Sequence, residues 1–278
     1  MYSKTGIPLF EEMTWKDVDD CLKKTDVCIV PVGAIEQHGF HLPLGTDTFI
    51  AQEMACRACA ELARRGCCAV VGPTVPYGVH PEATHYPGSL QLKPMTLVLL
   101  LKEICAALQQ MGFRHIALLM GHDGNIPAMQ VALQELQIER DLDVMCVNWL
   151  LPHQGDQRRI LPLDFADGHG GARETSRALA AFPDLVHLDR AVSYIPTFPP
   201  KPVPCSSEPL LGGAVYRPIQ ALSMDYWPDR HPGQDGDPSF ATSQAGDALY
   251  DALAVWLADL LIQEYNLAPK EEEINHGP

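Results

Sequence analysis

The chain has no uninterrupted apolar run of bilayer length. Its longest apolar stretch, Met95 to Leu108, is broken by Lys102 and Glu103, whereas a transmembrane helix needs about 20 such residues. The opening Met1-Tyr2-Ser3-Lys4-Thr5-Gly6 carries no apolar signal core, so a secreted protein is not expected. Basic residues are scarce: 20 Lys and Arg stand against 35 Asp and Glu, a net charge of −15. That balance excludes the basic footprint that nucleic acid requires and any attraction to an anionic membrane surface. Cys56 and Cys59 form a Cys-x-x-Cys pair, but no second pair completes a four-thiolate zinc site. Nine cysteines is an odd number for a disulfide framework. Internal repeats are absent as well. These absences leave a cytoplasmic protein with reduced thiols acting on a small molecule.

What is present is a chain of 278 residues, 46% hydrophobic, ample for a substantial core. Short β-branched runs alternate with helix-like segments, the pattern of a parallel sheet with crossover helices. Strands are expected at Val27–Val32, Ala69–Val71, His115–Met120 and Val144–Asn148. Helices fit Phe49–Arg65, Pro94–Met111, Ile126–Arg140, Ala172–Ala181 and Ser243–Tyr265, with Thr48 as a candidate cap for the first. Gly66 and Gly112 stand where helix C-termini favour glycine. A single α/β domain over residues 1–268 follows. Within it, residues 195–238 hold ten prolines, which excludes a long helix and predicts an irregular excursion that covers a site or reaches a neighbouring subunit. The tail, 269–278, is expected to be mobile.

Three segments carry the chemistry. Glu36-Gln37-His38-Gly39-Phe40-His41-Leu42-Pro43-Leu44-Gly45-Thr46-Asp47 places two carboxylates and two imidazoles just after the first strand. Carboxylate oxygen and imidazole nitrogen are the ligand set of zinc, manganese or iron, and strand exits are where open α/β sheets hold ligands. Glu36 and His38 are two apart and share a direction in an extended segment. Gly121-His122-Asp123-Gly124-Asn125 follows another strand, with His122 a further ligand and Asn125 either a helix cap or an amide that orients the site. In Asp167-Gly168-His169-Gly170-Gly171-Ala172-Arg173-Glu174-Thr175-Ser176, His169 points out of a helix N-terminus, a position suited to a proton shuttle.

Together the run Pro31 to Gly39, the Gly121-His122-x-x-Asn125 element and the His169-Gly170-Gly171-x-x-Glu174-Thr175-Ser176 element resemble the creatininase family. The similarity also takes in Glu12 to Lys16, Pro183 to Arg190 and Thr197 to Pro200, and spans residues 10 to 265. It implies a three-layer α/β fold, a mostly parallel central sheet flanked by helices, and two divalent metal ions (Zn, Mn or Fe). By the same resemblance Glu36 and His38 each hold one metal, Asp47 bridges both, and His122 joins Glu36. His169 is the implied catalytic histidine, Trp149 lines the substrate pocket, and the assembly is a homo-oligomer, a hexamer.

The departures carry equal weight. Gly124 stands where creatininase has a glutamate ligand, Gly168 where it has a glutamate before the catalytic histidine, and Phe165 replaces another aromatic. Glu174, one helical turn beyond His169, is the candidate replacement carboxylate; His85, Glu82 and His80 are weaker ones. Asn125, His85, Phe165 and Trp149 are the expected substrate-facing residues. The expected activity is hydrolysis of a small cyclic amide or carboxamide other than creatinine. Ring-opening C–C hydrolysis of a cyclic diketone, such as an oxidised inositol or sugar, is the alternative, and a metal-binding subunit without turnover is a third.

Overall fold

In a computed structural model the described residues are 5–195, 205–206, 215–216 and 232–269. Four parallel strands, β1 (Val27–Val32), β2 (Val70–Val71), β3 (His115–Met120) and β4 (Val144–Val147), lie in the order β2-β1-β3-β4. All six residues of β1 are buried, as expected of a strand covered on both faces. The strands match the runs read from the sequence, with β2 and β4 one residue shorter at an end.

The helices are α1 (Trp15–Leu22), α2 (Thr46–Arg64), α3 (Pro94–Met111), α4 (Ile126–Arg140), α5 (Leu150–Ile160), α6 (Ala172–Ala181) and α7 (Ser243–Glu264). Right-handed crossovers from this strand order put α2 on one face of the sheet and α3 and α4 on the other. Consistently, α2 packs with α6 and α7, while α3 packs with α4. The result is the three-layer α/β arrangement expected. Gly112 ends α3 in the left-handed conformation at φ 120°, which costs glycine nothing.

The expected start of α2 needs correction. The helix begins at Thr46, not Phe49, with Gly45 as its cap residue, because Phe49 N–H already bonds the Gly45 carbonyl at 2.9 Å. Thr48 is therefore no cap; its hydroxyl donates to the Ala34 carbonyl at 3.2 Å. Helices α1 and α5 were not expected. Thr14 and Asp17 close a reciprocal capping box at the start of α1. Helix α5 is disguised by Pro152, which its first turn tolerates, and by Gly155.

Strand order reverses between β1 and β3: the chain leaves β1 toward β2, and leaves β3 toward β4. The two strands end level, Val32 paired with Met120, so the segments after them meet above a topological switch point. Of the proline-rich stretch, Cys205–Ser206 pairs in parallel with Val215–Tyr216 and residues 232–238 return to the body; the rest of it and the tail after 269 lie outside the described residues. Among the described residues no helix is long and apolar enough to cross a membrane.

Helix α6 is clamped by α7. Thr242 caps α7 through Ala245 N–H at 3.1 Å, and its own N–H reaches Ser176 Oγ at 3.1 Å. A Cβ on Gly246 would stand 1.9 Å from the Ser176 carbonyl oxygen, so only glycine permits this approach. Gly246→Ala should therefore force α6 and α7 apart and cost about 1–3 kcal/mol, read as a lower midpoint in urea unfolding.

Candidate metal centre

After β1 the chain makes a loop that folds back on itself, Glu36 N–H bonding the Leu44 carbonyl at 2.9 Å. This holds Glu36 and His38 inside, 2% and 0% exposed. Asp47 is in the first turn of α2, where the helix dipole favours a carboxylate. His122 comes from the segment after β3, and Glu174 from the first turn of α6.

The two oxygens of Asp47 face different imidazoles. Oδ1 lies 3.0 Å from His38 Nε2, and Oδ2 lies 3.2 Å from His122 Nδ1. Glu36 Oε2 is 3.1 Å from the same His122 nitrogen, and Glu174 Oε2 is 3.9 Å from His38 Nε2. Three groups have their ligand atoms within 4.8 Å of one another: Glu36–Asp47–His122 and His38–Asp47–Glu174, which share Asp47, and Glu36–His38–His169. Ligand atoms of a tetrahedral zinc site are about 3.3 Å apart, so the two groups that share Asp47 suit a divalent ion. Glu36 Oε2 and Asp47 Oδ2 are buried and, although both crowd His122 Nδ1, neither makes a hydrogen bond of good geometry among the described residues, as oxygens that take a metal would be.

Both imidazoles are aimed by backbone carbonyls. His38 Nδ1 lies 3.0 Å from the Glu36 carbonyl oxygen and His122 Nε2 lies 3.1 Å from that of Val79. Donating there leaves His38 Nε2 and His122 Nδ1 to face the carboxylates, the outer-shell arrangement typical of metal-binding histidine. The electrostatics fit the same demand for positive charge. Burial opposes charge on His38, yet Asp47 outweighs it and the imidazole is raised to about 10. Burial likewise opposes charge on His122, but Glu36 and Asp47 raise it well above its usual value. Burial would push the Glu36 carboxyl up; His169 and His122 instead hold it down at about 2.

Asn125 is fully buried and makes no side-chain cap. Its amide donates to the Gly33 carbonyl at 2.8 Å and accepts from Val79 N–H at 2.9 Å. It thereby ties the β1 exit to the carbonyl that orients His122. At Gly124 a Cβ would lie 2.3 Å from the Val79 oxygen and 2.5 Å from His122 Nε2, so a glutamate side chain does not fit this backbone. Gly168 is different, since a Cβ there meets nothing closer than 3.6 Å.

His169 Nε2 is 2.6 Å from the Gln37 carbonyl oxygen and 3.9 Å from Glu36 Oε1, and its ring centroid is 4.2 Å from that of His38. Residues 233–236 strap the histidine in place: Gly168 N–H bonds the Asp235 carbonyl at 2.8 Å, and Asp235 N–H bonds the His169 carbonyl at 2.6 Å. Asp167 caps α6 by accepting from Ala172 N–H at 2.6 Å and Arg173 N–H at 3.2 Å. His41 anchors the β1 loop to α6, 2.9 Å from Thr175 Oγ1.

A cavity of about 460 Å³ opens over the centre, lined by Asp47, His122, Trp149, His169 and Glu174. Of the expected substrate-facing residues, Trp149 reaches it. Asn125, His85 and Phe165 do not line it: His85 is exposed on the surface, and Phe165 packs edge-on against Phe240 at 5.3 Å. His80 is buried behind His122, ring centroids 5.8 Å apart. The side chain of Glu82 lies outside the described residues. Cys56 and Cys59 are buried in α2 and belong to no metal-ligand group among the described residues. The sequence reading missed Gln37, Arg177 and Asp235. It also assigned no role to Asp167, whose place ahead of a Gly-rich helix start is a detectable capping signal.

Asn125→Ala should loosen the Val79 carbonyl and weaken metal binding about 10–100-fold, measured by competition with a chromogenic chelator. Gly124→Glu, which formally restores the creatininase ligand, should lower metal content by dislodging His122, as elemental analysis of the purified variant will read.

Residues 11–261 match the family model described as Creatininase: Creatinine amidohydrolase. The chain is 33% identical over 271 residues to creatinine amidohydrolase of Pseudomonas putida, covering 91% of this chain and 96% of that one. It is 30% identical over 225 residues to 3-dehydro-scyllo-inosose hydrolase of Thermotoga maritima, covering 79% and 69% respectively. A solved structure described as Creatininase Mn superposes with a TM-score of 0.72 at 27% identity, over 93% of this chain and 99% of that chain. With the same fold and the family match running through every element that carries the site, this chain belongs to the creatininase family.

Proposed function

We propose that this chain is a two-metal hydrolase that cleaves a small cyclic amide or carboxamide other than creatinine. The observation that carries the reading is Asp47, whose two oxygens are divided between two ligand groups, each completed by one histidine and one glutamate. Glu36, Asp47 and His122 would hold one ion and His38, Asp47 and Glu174 the other. Zinc, manganese or iron bound there supplies carbonyl polarisation and a water acidified toward neutrality.

The remaining steps fall to the protein. Trp149 is held by its own Nε1–H, which donates to the Met120 carbonyl at 2.9 Å, and gives the substrate a fixed apolar wall. His169, oriented by Gln37 and facing the cavity, delivers the proton that the departing nitrogen needs. Creatinine is set aside because, by the resemblance, Gly124 removes a ligand carboxylate and Gly168 and Phe165 depart from the creatininase pattern. A homo-oligomer, a hexamer by that resemblance, and a cytoplasmic setting belong to the same proposal.

A second reading keeps the site and changes the bond. The relative from Thermotoga maritima is a 3-dehydro-scyllo-inosose hydrolase, and ring-opening C–C hydrolysis of a cyclic diketone uses the same polarised carbonyl and the same proton donor.

Elemental analysis and anomalous scattering should find two ions per chain, with Asp47→Ala losing both and lowering activity by several orders of magnitude. Release of ammonia or amine across a panel of lactams, formamides and carboxamides supports the first reading. Acid production from a cyclic diketone without nitrogen release supports the second. A single ion, or an Asp47→Ala variant that hydrolyses as the parent does, overturns the two-metal assignment.

A further inference from the structure

The cavity over the metal centre reverses the usual balance of a small-molecule site. Such sites are lined mainly by apolar side chains, with a few polar groups among them. Here, glycines aside, only Met120, Trp149 and Leu150 of the lining residues are apolar. The candidate ligands account for part of that polarity. Asp167 and Arg173 account for more, but they pair with each other at 3.1 Å. Arg177 is packed over the Trp149 ring. What remains is a polar wall that the protein itself does not use.

That wall is one face of α5. The helix follows β4, and buried His153 fixes it against α7, with Nε2 3.2 Å from the Leu249 carbonyl oxygen. The neighbouring face carries Gln154, Gln157 and Arg158, all three lining the cavity. Spacings of three and four residues set them side by side. Gln154 and Gln157 are half-buried and Arg158 is exposed, so the group is open to an incoming molecule. The side-chain bonds of α5 run through His153, Asp156 and Arg159; Gln154, Gln157 and Arg158 make none among the described residues. Asp123 lines the same cavity from the exit of β3, its side chain 37% exposed and its carboxylate 4.0 Å from His122 Nδ1.

The chemistry of this set narrows what it can hold. Each glutamine amide offers donors and an acceptor, Arg158 offers donors alone, and Asp123 offers acceptors alone. An anion would meet Asp123, and a cation would meet Arg158. A neutral molecule whose groups both donate and accept satisfies all four. The hydroxyl does both through one oxygen, so a ring bearing several presents donors and acceptors around its whole edge. A cavity of about 460 Å³ is of small-molecule size.

We propose that the Gln154, Gln157 and Arg158 face of α5, with Asp123, is a hydroxyl-binding subsite, and that the substrate is a polyhydroxylated ring carrying the scissile carbonyl group. This rests on the hydrolase reading above and narrows both of its forms. The amide becomes a hydroxylated lactam, and the diketone an oxidised polyol.

myo-Inositol and cyclohexanol share a carbon ring and differ in their number of hydroxyls. Both are titrated calorimetrically into the metal-loaded protein. The parent should bind inositol about tenfold or more tightly than cyclohexanol, the gain expected of a few net hydrogen bonds. Gln154→Leu combined with Gln157→Leu keeps side-chain size and helix propensity; it should erase that preference while elemental analysis finds the metal content unchanged. Arg158→Met, at an exposed position, should weaken inositol binding about threefold or more and decides the matter if the paired variant fails to fold. Equal binding of the two probes by the parent, or a preference that survives the leucine pair, overturns the subsite. So does N-acetylglycinamide that binds more tightly than inositol and loses that affinity in the same variant, since the wall would then read peptide amides. Binding is measured without turnover, which separates this assignment from the hydrolase reading. A hydroxyl preference that vanishes in the variant while no carbonyl compound is hydrolysed sustains the subsite and sinks the hydrolase reading. Hydrolysis of a hydroxyl-free lactam with no such preference sinks the subsite alone.

Discussion

One buried carboxylate sets the terms for this protein. At the junction of β1 and β3, Asp47 is held between His38 and His122 with only 3% of its surface exposed. Carboxylates are seldom this deep without a partner. The surroundings are organised to make the position tolerable: Asp47 sits in the first turn of α2, and both imidazoles are turned toward it by carbonyls behind them. Much else follows. The β1 loop must double back, Asn125 must pin Val79, and α6 must lie close enough for Glu174 to reach the same cluster.

The glycine at position 124 is imposed by its surroundings. The chain around Val79 comes so close to residue 124 that a side chain there would collide with the carbonyl that aims His122. Glu174 faces His38 from α6. Its carboxylate also accepts from Gly170 N–H at 2.6 Å, which couples the start of α6 to the cluster. The same helix places Arg177 one turn further on. Helix α6 and its clamp against α7 therefore bear on one wall of the cavity.

The order of strands and helices was legible because buried parallel strands read as apolar runs and crossover helices as amphipathic ones. The start of α2 was not. Thr48 reads as the cap of a helix beginning at Phe49, and only the placement of Gly45 against Phe49 extends the helix back through Asp47. Helix α5 was hidden by Pro152 and Gly155, whose local preferences oppose a helix that packing against α7 maintains. At the site, Glu36, His38, Asp47, His122 and His169 were recognisable by type and spacing. His85 and Phe165 were plausible by nearness in sequence, yet their backbones carry them away from the cavity.

By itself the sequence determined the class of fold and the presence of a carboxylate–imidazole cluster after two strands. These depend on composition, periodicity and residue type, all local properties. Tertiary structure alone decided how that cluster divides. It split the two oxygens of Asp47 between two ligand groups, brought Glu174 to His38 from more than a hundred residues away, and closed position 124 to any side chain. It also buried Arg177 over the Trp149 ring, with Nε and Nη2 unpartnered among the described residues. In the sequence that arginine is a helical position among others; its meaning comes from what packs around it and what does not.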